Sequence, residues 1–98
     1  MLFRSPEIIR ASGTEPIIRI LSAVEYRRAL HEKLAEEAQE LLDSGPDSEL
    51  EELADVYEVF LALVAERNYD VSEVLEAAEA KRAARGGFVD RIFLTARD

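Results

Sequence analysis

The sequence predicts an all-α fold, an antiparallel helical hairpin plus a third helix, and three observations carry that expectation. Two long stretches repeat apolar residues at helical spacing: Leu30, Leu34, Ala38 and Leu41 in the first, and Leu53, Tyr57, Phe60 and Val64 in the second. Each stretch opens on a serine followed three residues later by a glutamate, Ser22 with Glu25 and Ser48 with Glu51, the signature of a capping box. Gly45-Pro46 lies between them and stops the first long helix. Two long helices joined by so short a connection must run antiparallel.

Taken in order, Ser5-Pro6-Glu7 reads as an N-cap, a proline at the first helical position and an early acid, with Gly13 as the stop, so residues 6–12 form a short helix. Pro16 to Leu21 is apolar and β-branched and reads as extended. The first long helix then runs from its Ser22 cap to about Asp43, and the second from Ser48 to near Asn68. Ser72 is expected to cap a third helix to about Arg85, with Gly86-Gly87 as a left-handed exit. Residues 88–94 read as extended again, and residues 91–94 could pair with 17–20 in a small β-ribbon. The apolar faces of the two long helices are too wide for one hairpin and a short helix to cover. Oligomerisation, as a homodimer or homotetramer, is therefore expected to complete a four-helix-type bundle.

Composition narrows the function. The chain has 98 residues, 48% hydrophobic and 34% charged, which suits one folded domain spanning residues 1–98. Without cysteine there is no disulfide framework and no thiol nucleophile, which fits a cytoplasmic location. The longest apolar run, Val59 to Ala65, is far short of the roughly 20 residues that span a bilayer, and the start MLFRSPEIIR lacks a signal-peptide core, so no membrane role is expected. A net charge of −9 has the wrong sign for a nucleic-acid polymer as partner. The acidity is local: residues 32–58 hold eleven acids and one base, Lys33, while the remainder is close to neutral.

Within that stretch lie two carboxylate pairs, Glu37 with Glu40 and Glu52 with Asp55, each spaced three apart and so on one face of its helix. At about 100° per residue, Glu37 falls about 60° from Leu34, at the edge of the apolar stripe. Glu52 and Asp55 flank the second stripe. If the flanks face each other, four carboxylates converge. Two carboxylates about 5 Å apart repel by about 3 kcal/mol at an effective dielectric near 20. Protons or divalent cations must neutralise such a cluster, and an all-oxygen ligand set favours Mg²⁺, with Mn²⁺ as the alternative.

The pattern Glu36-Glu37-Ala38-Gln39-Glu40 followed by Glu52-Leu53-Ala54-Asp55 resembles the EExxE and ExxD motifs of the MazG-like all-α nucleoside triphosphate pyrophosphohydrolases. PEIIRASG (6–13), EPIIRIL (15–21) and KRAARGGFVDRI (81–92) extend the likeness over most of the chain, toward the phosphoribosyl-ATP pyrophosphohydrolase-like branch. That branch usually begins with a stretch like KLVRDKIPEII, where this chain has LFRSPEII. The resemblance implies Mg²⁺-dependent cleavage of a nucleoside triphosphate between the α and β phosphates, in subunits that assemble as dimers or tetramers. It implies Glu37, Glu40, Glu52 and Asp55 as metal ligands and Glu36 as a supporting carboxylate. In that scheme Glu36 or Glu37 is the catalytic base that accepts a proton from the attacking water.

Basic residues are candidates for substrate phosphates: Lys33, one turn before Glu37, and Lys81, Arg82 and Arg85 near the end of the third helix. Their alternatives are plain, an ion-pair partner for Lys33 and complementation of the helix dipole for the other three. His31 is the sole histidine and builds no catalytic dyad by itself. The functional expectation is thus a nucleoside triphosphate pyrophosphohydrolase, with nucleotide-pool house-cleaning as a possible role. The alternatives are phosphoribosyl-ATP hydrolysis in histidine synthesis, or a non-enzymatic helical adaptor whose acidic face binds a basic partner.

Overall fold

The computed structural model describes residues 6–13 and 17–95, and its regular structure is helical: α1 (Pro6–Ala11), α2 (Ala23–Asp43), α3 (Glu49–Glu66) and α4 (Val71–Arg85). Among the described residues there is no β-strand, and no helix is long and apolar enough to cross a membrane. The chain forms two compact units, residues 1–63 and 64–98.

In the first unit, α1 ends at Gly13, whose N–H donates to the Arg10 carbonyl at 2.9 Å with φ at +88°, a conformation that suits glycine. The proposed Ser5 cap lies outside the described residues. Helix α2 starts where the sequence placed it. The Glu25 N–H donates to Ser22 Oγ, and the Ser22 N–H returns a bond to Glu25 Oε1, each at 3.2 Å. Arg19 adds an ion pair to Glu25 at 2.6 Å, and it holds that carboxyl below its ordinary pKa. At the other end both the N–H and the hydroxyl of Ser44 donate to the Leu41 carbonyl, and residues 46–48 turn the chain into α3. Here the second capping box does not close. Ser48 instead donates its hydroxyl to the Gly45 carbonyl at 3.4 Å, so the side chain stabilises the turn rather than the helix entry.

The faces that pack overlap those the apolar pattern predicts and extend to one side of them. On α2 Leu30 is buried and Leu34 and Leu41 half-buried, as expected, joined by buried Ala29 and Glu37, while Ala38 is exposed. On α3 Val64 is buried and Phe60 half-buried, as the expected stripe has them, with Val59 buried and Glu52, Val56 and Leu63 half-buried beside them, whereas Leu53 and Tyr57 of the same stripe are about half exposed. Tyr57 stacks on Phe60 at 6.0 Å. The reason is that α3 is apolar over most of its circumference, so hydrophobicity alone does not choose the face. The α2 partner surface does. Burying Leu30 and Val59 stabilises the hairpin by about 1.5–3 kcal/mol each.

In the second unit, α3 closes with Asn68 at φ +60°, its N–H on the Ala65 carbonyl and the Tyr69 N–H on the Val64 carbonyl, the paired bonds of a Schellman ending. The cap of α4 is Asp70, not Ser72. Glu73 stands three residues after Asp70 and accepts its N–H at 3.3 Å, whereas three residues after Ser72 comes Leu75, which cannot reciprocate. Gly86 ends α4 at φ +85°.

The ribbon from residues 17–20 and 91–94 does not form, and the described residues of both segments lack strand structure. Arg91 adopts φ +56° and its N–H closes a turn onto the Phe88 carbonyl, which breaks the extended run. Ile17, Ile20, Ile92 and Phe93 are exposed, so neither segment has the apolar backing that a two-stranded ribbon needs in water.

Ser22→Ala should lower stability by about 1 kcal/mol, because it removes the acceptor that satisfies the first turn of α2. Ser72→Ala, inside α4 and without a capping role, should stay within about 0.5 kcal/mol. Urea midpoints at an unchanged m-value would check both, and a Ser72 effect larger than the Ser22 effect would overturn the cap assignment.

Candidate metal centre

Helices α2 and α3 pack antiparallel with a register that can be read from the residues that meet. Tyr26 and Leu30 share a cleft with Val59 and Ala62, while Glu37 meets Asp55 nearer the turn. Glu40 lies three residues before the end of α2 and Glu52 three after the start of α3, so the turn delivers the two carboxylate pairs to one level. One oxygen from each of Glu37, Glu40, Glu52 and Asp55 lies within 4.8 Å of the other three.

Their surroundings differ. Glu37 is 5% exposed, Glu52 half-buried, and Glu40 and Asp55 open to solvent. Glu37 Oε1 accepts from Lys33 Nζ at 3.0 Å, but Glu37 Oε2 and Glu52 Oε2 are buried with no hydrogen-bond partner. A buried polar atom left unpaired costs on the order of 1–3 kcal/mol, more where it is charged. At 4.8 Å or less, carboxylates with the burial of Glu37 and Glu52 add about 3 kcal/mol of repulsion at an effective dielectric near 20. Neither helix carries a basic residue in its last turn, so at the α2 end the acids meet the negative pole of the helix dipole uncompensated.

Ionisation responds accordingly. A hydrogen bond shared with Glu37, and then the charge of the Glu37 carboxylate, raise the Glu40 pKa above its ordinary value of 4.5. The same Glu37 carboxylate, as hydrogen-bond acceptor, raises the Lys33 ammonium above the usual lysine range. Both shifts report the same local excess of negative charge.

A divalent cation fits this donor set. Ligand oxygens opposite each other across Mg²⁺ stand about 4.2 Å apart, and across the larger Ca²⁺ about 4.6–5.2 Å. A span of at most 4.8 Å holds either after small side-chain adjustment. Glu37 and Glu52 supply the more buried donors, each with one oxygen that has no hydrogen-bond partner, and Glu40 and Asp55 the accessible ones.

The other expected site residues are placed as follows. Glu36 is exposed, stands outside the cluster, and accepts from Lys33 at 3.4 Å. Lys33 has its ammonium on Glu37 and Glu36. Lys81, Arg82 and Arg85 lie exposed on the last turns of α4, in the second unit. His31 is exposed on α2. The sequence reading missed the cleft of about 280 Å³ beside the cluster, where Tyr26, Leu30, Val59 and Ala62 meet Lys33, Asp55 and Glu58. Residues drawn from two helices signal such a cleft only once the register is known.

No family profile matches the chain, and no solved structure does. An uncharacterized protein of Mycolicibacterium smegmatis is 60% identical over 38 residues, a match that spans 39% of this chain and 39% of that protein.

A carboxyl whose pKa is raised on folding favours the folded state in acid, and that contribution is lost as pH rises through the raised value. Glu40→Gln should therefore melt above the wild type at neutral pH without metal, and the gap should narrow as pH falls through the raised Glu40 value and Glu40 takes up its proton. The variant should also show a smaller Mg²⁺-dependent rise in melting temperature, because a ligand is gone. Thermal melts across this pH range, with EDTA and with Mg²⁺, check both parts.

Proposed function

We propose that the chain is a Mg²⁺-dependent nucleoside triphosphate pyrophosphohydrolase that releases a nucleoside monophosphate and pyrophosphate. One observation carries this reading: four carboxylates from adjacent helices converge within 4.8 Å, and two of them hold buried oxygens without partners. Glu37, Glu40, Glu52 and Asp55 would hold the cation. When bound, Mg²⁺ supplies neutralisation of the phosphate oxygens and acidifies water. The chain's own part is positioning. Lys33 fixes Glu37, and the short turn fixes α3 against α2. Glu36, exposed and outside the four ligands, accepts the proton of the water that attacks the α phosphorus, while the bond to the β phosphate breaks and pyrophosphate leaves. The cleft beside the carboxylates lies near the lower edge of the roughly 300–1,000 Å³ range of small-molecule sites, a size that suits a nucleoside with its phosphates over the carboxylates. Phosphoribosyl-ATP would undergo the same chemistry, and only the choice of substrate separates the two.

The reading includes self-association as a homodimer or homotetramer. Leu42 on α2, and Leu50, Leu53 and Tyr57 on α3, stand exposed, and few large side chains among the described residues are buried. Apolar surface of this kind needs cover. Light scattering at micromolar concentration should show a species larger than the 11.0 kDa chain. A monomer throughout would remove the bundle.

A pyrophosphate-release screen over nucleotides with Mg²⁺ and Mn²⁺ should find at least one substrate converted to its monophosphate, with no diphosphate formed. Glu52→Gln should abolish that turnover while its circular dichroism stays helical. Full activity in Glu52→Gln would refute the site, and silence on every nucleotide, phosphoribosyl-ATP included, would favour a non-enzymatic acidic adaptor.

A further inference from the structure

The side chain of Lys33 is only 20% exposed, and its ammonium is held at two points, 3.0 Å from Glu37 Oε1 and 3.4 Å from Glu36 Oε1. Spacing of four and three along α2 brings both carboxylates to the same amine. The pair with Glu37 is the closer and the more sheltered, since the Glu37 side chain is 6% exposed. The two oxygens of Glu37 are therefore not equivalent. Oε1 is committed to an ammonium, while Oε2 is buried and without a partner. Drawing Oε1 onto a cation would leave a half-buried ammonium without its nearer acceptor, a loss characteristic of sheltered charged hydrogen bonds.

That asymmetry bears on which cation the site takes. Ca²⁺ collects about six to eight oxygens and often takes both oxygens of a carboxylate, whereas Mg²⁺ takes about six in a tight octahedron and readily keeps waters among them. With Glu37 limited to one oxygen, the four carboxylates offer at most seven oxygens instead of eight and lose one bidentate ligand, which weakens the shell Ca²⁺ favours while leaving enough donors for the octahedron of Mg²⁺.

We propose that Lys33 is a positioning residue that restricts Glu37 to a single ligand oxygen, Oε2, and thereby sets the site for Mg²⁺ or Mn²⁺ against Ca²⁺. The proposal rests on the reading of the four carboxylates as a cation site, and it assigns Lys33 a role toward the metal rather than toward substrate phosphate.

Calorimetric titration of the full chain with Mg²⁺, Mn²⁺ and Ca²⁺ chlorides, at fixed pH and ionic strength, tests it without reference to activity. Lys33→Met should shift the ratio of the Ca²⁺ and Mg²⁺ dissociation constants about tenfold in favour of Ca²⁺, the order of effect that a residue supporting a metal ligand exerts. Lys33→Gln reads the same ratio should Lys33→Met fail to fold. A merely structural lysine would weaken both cations together and leave the ratio unchanged. An unchanged ratio, with Mg²⁺ still bound, overturns the role of Lys33 and leaves the cation site standing. Failure of the wild-type chain to bind any of the three cations overturns the site, and the proposal with it.

Discussion

Glu37 is a charged side chain at a position where a helix of this size would ordinarily place leucine or alanine. It sits against α3, 5% exposed, in a hairpin whose other buried positions are small or aliphatic. Removing a carboxylate from water costs several kcal/mol unless partners replace the water, and here one oxygen has Lys33 while the other has nothing. A domain whose total stability is on the order of 5–15 kcal/mol does not carry such a defect idly. The rest of the site follows from it. Lys33 is drawn into the interface, Glu40 resists losing its proton, and Glu52 in the same cluster carries a second buried oxygen without a hydrogen-bond partner.

What makes this arrangement possible is the economy of the turn. Ser44 doubles its bonds to Leu41, Ser48 ties itself to Gly45, and Pro46 needs no N–H partner, so the connection is short and its register has little freedom. A slip of α3 by one residue would rotate Glu52 and Asp55 by about 100° and carry them out of reach of Glu37. The turn, remote from any chemistry, is therefore what fixes the distances among the four carboxylates.

Local signals were more legible in the sequence than non-local ones, though not always: the Ser48–Glu51 box is as local as Ser22–Glu25 and does not close, and the Ser72 cap is a local miss as well. The Ser22–Glu25 box and the glycine stops were read correctly because each is decided by residues within one turn of each other. The paired spacing of Glu37 with Glu40 and of Glu52 with Asp55 was legible for the same reason, and their convergence required only that the flanks face each other. Non-local choices were legible only in part. The periodicity of α3 pointed to Leu53, Tyr57, Phe60 and Val64; Phe60 and Val64 are covered, but Leu53 and Tyr57 are not, and Glu52, Val56 and Val59 pack instead, since an apolar surface nearly all the way round leaves the facing helix to decide. The Ser72 cap failed because Asp70, with Glu73 in the reciprocal position, satisfies the helix start two residues earlier. The ribbon failed because β-branched residues make an extended chain but do not supply the backing that holds two strands together.

The rotational setting of α3 also joins two features that look unrelated. With Glu52 on the packed side of the helix, Leu50, Leu53 and Tyr57 stand outward, so part of the apolar stripe is offered to the surroundings while Phe60 and Val64 are covered. Had hydrophobic burial alone decided, those side chains would lie against α2 and the carboxylates would be dispersed in solvent, where charges cost little. The packed Glu52 and the outward part of the apolar stripe are thus two consequences of one rotational setting. It is sustained if a cation offsets the repulsion on the inner face and other protein surface covers the outer one, and under that condition ion binding and self-association draw on the same conformational choice.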